Sequence, residues 1–110
     1  MSNEPTAEAP APDALLQKLI NAWNESSFEA YSQDFTQRLV DHYNPGYFSR
    51  LRASAGRWLS NEYLGALDQG NHRVHLWRSR FERSKNDVLF SLTLNREGRI
   101  AGLLKRANRV

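Results

Sequence analysis

Apolar residues recur at steps of three and four along Ala14, Leu15, Leu16, Leu19, Ile20 and Trp23, which makes one stripe. That spacing predicts an amphipathic helix, and Pro12-Asp13 ahead of it is a start signal. Asn24-Glu25-Ser26-Ser27 breaks the pattern and supplies Ser27 as the next cap. A second stripe runs through Phe28, Tyr31, Phe35 and Leu39 and closes with Val40 and Tyr43. Asn44-Pro45-Gly46 stops it, because proline disfavours helix in the residue before it. A third, shorter helix carries Tyr47, Phe48 and Leu51 and ends near Gly56.

From Trp58 onward the pattern alternates instead. Asn61 to Asp68, with Tyr63, Leu64 and Leu67, reads as a strand that Gly65 interrupts as a bulge. Gln69-Gly70-Asn71 turns the chain into a long strand from His72 to Glu82. One face of that strand takes Arg73, His75, Trp77, Ser79 and Phe81; the other takes His72, Val74, Leu76, Arg78 and Arg80. After Ser84-Lys85-Asn86-Asp87, a hairpin is predicted from Val88–Leu94, the turn Asn95-Arg96-Glu97-Gly98, and Arg99–Leu104. The fold class expected is α+β, with three N-terminal helices packed on a bent antiparallel sheet of about four strands. A chain of 110 residues has room for one core, placed at 13–106 between a leader (1–12) and a tail (107–110).

Composition narrows the chemistry. There is no cysteine, which removes disulfides, thiolate metal sites and a cysteine nucleophile. The leader is Ala, Pro, Glu and small polar residues without a basic start or an apolar run, so it reads as disordered and dispensable rather than as a targeting signal. No apolar stretch approaches the roughly 20 residues of a membrane span. The expectation is a soluble, cytoplasmic, bacterial protein. Charge is lopsided: Met1–Pro45 sums to −5 and Gly46–Val110 to +8. Either the basic half contacts a polyanion, or acidic helices lie against a basic sheet.

Helices feeding antiparallel strands that end in Asn-Arg-Glu-Gly-Arg-Ile-Ala-Gly-Leu resemble the nuclear transport factor 2-like superfamily. The Asn-Glu-Ser-Ser-Phe-Glu-Ala-Tyr junction and a glycine near the sheet entry, Gly56 or Gly65, fit as well. Within it, the chain is most similar to an uncharacterised branch, a domain of unknown function, over roughly Ala14 to Lys105. The resemblance implies a cystatin-like cone, a bent sheet wrapped round a long helix, often paired as a homodimer through the sheet's outer face. Its members include isomerases, cyclases and dehydratases beside non-catalytic transport and assembly domains, and fold does not choose among them.

Enzymes of that superfamily place Asp, His, Tyr or Arg on strands facing the cavity. The isomerase pattern wants inner-strand carboxylates, yet the final hairpin strands contain none; Glu62 and Asp68 read as solvated charges. His72 and His75 point to opposite faces, so no metal pair forms, and no cofactor is expected. The weak catalytic candidates are His75 with Tyr31 or Tyr63, against a plainer reading of His75 as a buried histidine with a fixed partner. His42, at a helix end, suits the terminal carbonyls. Trp58, Tyr63, Trp77 and Phe81 line a pocket or fill it. Val74, Leu76, Arg78 and Arg80 suit a dimer interface better than a nucleic-acid track, since the aromatics alternate to the other face. The function expected is a small homodimeric module, binding a small apolar ligand or assembling, and not catalytic. A pocket enzyme comes second and polyanion binding third.

Overall fold

The computed structural model describes residues 12–107, so the expectation for the leader, apart from Pro12, lies outside the described residues. The elements are α1 (Pro12–Asn24), α2 (Phe28–Tyr31), α3 (Gln37–His42), α4 (Pro45–Ala55), β1 (Trp58–Gln69), β2 (His72–Phe81), β3 (Val88–Leu94) and β4 (Ile100–Ala107). The strands form one antiparallel sheet in the order β1-β2-β3-β4, with the helices on one face. The α+β class is therefore as expected.

Four helices stand where three were predicted. The stripe from Phe28 to Tyr43 is cut in two because Phe35 forms a parallel bridge with Ile100. Thr36 N–H donates to the Ile100 carbonyl at 2.8 Å, and Ile100 N–H donates to the Asp34 carbonyl at 2.8 Å. Those backbone groups cannot also serve a helix. The chain restarts at once, with the Thr36 hydroxyl accepting from Leu39 N–H as a cap. Ser27 and Asn44 cap α2 and α4 in the same way.

α1 is held to the sheet by polar contacts as well as by its apolar stripe of Leu15, Leu16, Leu19, Ala22 and Trp23. The Trp23 indole N–H donates to the Gly56 carbonyl at 2.8 Å. The Asn24 side chain takes both backbone groups of Trp58, accepting from its N–H at 2.9 Å and donating to its carbonyl at 3.1 Å. β1 therefore begins at Trp58, three residues earlier than the alternation suggested.

Gly56 carries the turn from α4 into β1 at φ 78°, ψ −156°, a region essentially closed to other residues. A Cβ there would lie 2.9 Å from Glu82 Cβ. The core inside the bend is aromatic: Trp23 meets Tyr31, Phe48, Trp58 and Phe81 at centroid distances of 5.5–5.9 Å.

Candidate functional site

The two faces of the sheet follow the alternation in β2. His75, Trp77, Ser79 and Phe81 are buried on the helix side, while Arg78 and Arg80 are exposed on the other. The four residues expected to line one pocket are divided between two places. Trp58 and Phe81 line a partly open void of about 80 Å³; Tyr63 and Trp77 line an open groove between α1 and β1. The aromatics thus fill most of the cone and leave a small remainder.

At the groove, the Tyr63 hydroxyl lies 3.0 Å from His75 Nδ1, and both rings pack with Trp77. Tyr63 stands opposite Trp77 in the β1–β2 register, which places it diagonally to His75. Tyr31 is elsewhere: its ring neighbours are Trp23, Phe35, Tyr43 and Phe48. His75 is only 7 % exposed, and burial first, with the Arg73 charge second, lowers its pKa. The folded protein therefore resists protonating this ring while the unfolded chain accepts a proton near pH 6.5. Stability from this group is full above that pH and is lost as pH falls through the unfolded value towards the folded one. Wild type should lose more of its thermal midpoint between pH 7.5 and pH 5 than His75→Asn does. Equal losses would show that the imidazole is not held neutral.

The void is lined by aromatic rings, by Leu51, Leu103 and Leu104, and by Tyr31, Tyr43, Tyr47 and Lys105. Burial pushes Tyr31 well above its ordinary value, with Tyr43 reinforcing it. Burial likewise raises Tyr43, to about 12, and its interaction with the Tyr31 hydroxyl offsets this only in part. Both therefore stay protonated at neutral pH and can donate. Burial also lowers the pKa of Lys105, whose Nζ sits 5.0 Å above the centre of the Phe81 ring. Neither Lys105 nor Tyr43 stood out in the sequence as a site residue.

On the outer face, Leu64, Leu67, Leu89 and Leu104 are 38–55 % exposed around the partly buried Val74 and Leu76. The adjoining arginines are compensated within the chain. Arg78 Nη1 is 3.2 Å from Glu62 and its Nε 4.0 Å from Asp87, while Arg80 Nη2 is 3.4 Å from Asp87. Arg73 pairs with Asp68 at 2.8 Å, which holds that exposed carboxyl below its usual range. Among the described residues no three metal-ligating side chains cluster, and no helix is long and apolar enough to cross a membrane.

The four-stranded antiparallel sheet packed with helices matches a known α+β fold. The chain is similar in structure to a SnoaL-like protein of unknown function from Burkholderia thailandensis E264, with a TM-score of 0.50 and 14% sequence identity. The match covers 90% of this chain and 100% of that one. No protein-family model matches the sequence, and no curated protein matches it.

Proposed function

We propose that this chain is a non-catalytic binding and assembly module that pairs with a second copy of itself through the outer face of the sheet. The observation that carries the reading is the outer apolar band of Leu64, Leu67, Leu89 and Leu104, left half-exposed around the partly buried Leu76. Several half-exposed leucines on one sheet face, set among Ser91, Thr93 and the arginines, favour burial against a partner. A second copy suits it because Glu62 and Asp87 already neutralise Arg78 and Arg80, so apposed faces bring together few uncompensated like charges. The same neutralisation weakens the polyanion reading.

A pocket enzyme has one observation in its favour, the Tyr63–His75 hydrogen bond beside a ring kept neutral by burial. Against it, neither residue lines the void beneath β4, and no carboxylate lines that void either. Leu76→Asp tests the assembly reading. Wild type at tens of micromolar should sediment as a dimer and the variant as a folded monomer; a monomeric wild type would overturn the reading.

A further inference from the structure

We propose that the void beneath β4 is a binding site for a short-chain monocarboxylate, with Lys105 at its rim as the anion's partner. This goes beyond self-assembly: the void lies on the inner side of β4, and of its lining only Leu104 belongs also to the outer apolar band.

Lys105 is the first observation. It stands opposite Phe90 in the β3–β4 register and extends over Phe81. Lys105 is the one charged side chain among the residues that line the void, and none of the described carboxylates lies within ion-pair distance of it. An ammonium brought among aromatic rings without an anion costs stability. The Phe81 face offsets part of that cost, and the lining holds no carboxylate to offset the rest.

The second observation is what surrounds it. The lining supplies protonated tyrosines and aromatic carbon, a combination that suits an anionic head with an apolar tail. One cation matches one negative charge, which disfavours phosphate or sulfate dianions. The volume, about 80 Å³, is near half that of a cavity known to take benzene, so the tail is limited to roughly two to four carbons. In the complex, the carboxylate oxygens accept from Lys105 Nζ and a tyrosine hydroxyl, and the alkyl chain packs on Trp23 and Phe90.

Butyrate, 1-butanol and butylammonium share a chain and differ in head group, so NMR titration of the full chain with each separates the possibilities. Butyrate should give saturable shifts at the Lys105 side chain, the Leu103 methyls and the Trp23 indole N–H. Butanol should bind about tenfold more weakly and butylammonium not at all. Lys105→Met should bring butyrate down to the level of butanol and leave butanol unchanged. Three results overturn the proposal: equal binding of butyrate and butanol, shifts spread over surface arginines as for an adventitious anion, or no shifts at tens of millimolar. If the variant fails to fold, the three head groups on wild type still decide.

Discussion

Trp23→Ala is expected to remove a third or more of the folding free energy. The indole is 2 % exposed and packs against Tyr31, Phe48, Trp58 and Phe81. Truncating a buried tryptophan costs about 3–5 kcal/mol, and domains of this size are stable by about 5–15 kcal/mol. The variant also leaves the buried Gly56 carbonyl without its 2.8 Å donor. An unpaired buried acceptor adds about 1–3 kcal/mol unless water reaches it. Urea unfolding with an unchanged m-value checks this, and Trp23→Phe separates the parts by keeping much of the packing while losing the N–H. A loss under about 2 kcal/mol for the alanine variant would mean that the ring does not sit at the centre of the core.

The second large effect is at Gly56. Its backbone region costs a residue with a side chain about 1–3 kcal/mol. The added methyl also meets Glu82 close to its backbone, where the side chain cannot swing away. That stretch is fixed from both sides: Glu82 N–H donates to the Arg57 carbonyl at 2.8 Å, and Arg83 N–H to the Ala55 carbonyl at 2.9 Å. Gly56→Ala should therefore lower the thermal midpoint by roughly 10 °C or more. Gly65 is the internal control. It has φ 142°, but an added methyl would meet nothing within 4 Å, so Gly65→Ala should cost less. Equal losses would remove the Glu82 contact from the explanation.

The faces of the strands were legible in the sequence because burial in a two-sided sheet follows side-chain alternation. Val88–Leu94 matches its predicted bounds, and His75, Trp77 and Phe81 share the buried face as read. The break at Phe35 was not legible, since its cause is pairing with Ile100, 65 positions along the chain. Local periodicity carries no trace of such a contact.

Lys105 was hidden by a bulge. Thr93 pairs with Gly102 but Leu94 with Ile100, so Ala101 is left over. Strict alternation from Ile100 would turn Leu104 inward and Lys105 outward. The extra residue reverses this, leaving Leu104 51 % exposed and Lys105 over the Phe81 ring. The same effect operates in β1, where the register shift between Tyr63 and Gly65 sets which side chains reach the groove. The inward face of His75 was readable from alternation, whereas the choice of Tyr63 over Tyr31 as its neighbour depends on cross-strand register; the void was not readable either, because its lining comes from α1, α2, α4 and all four strands together with Tyr43.

Pairing through the outer face is the central claim, and isotope-filtered NMR on a mixed sample of labelled and unlabelled chains tests it most directly. The account predicts intermolecular contacts at the methyls of Leu64, Leu76, Leu89 and Leu104. Intermolecular contacts confined to the helical side, or none at concentrations of tens of micromolar and above, would contradict it.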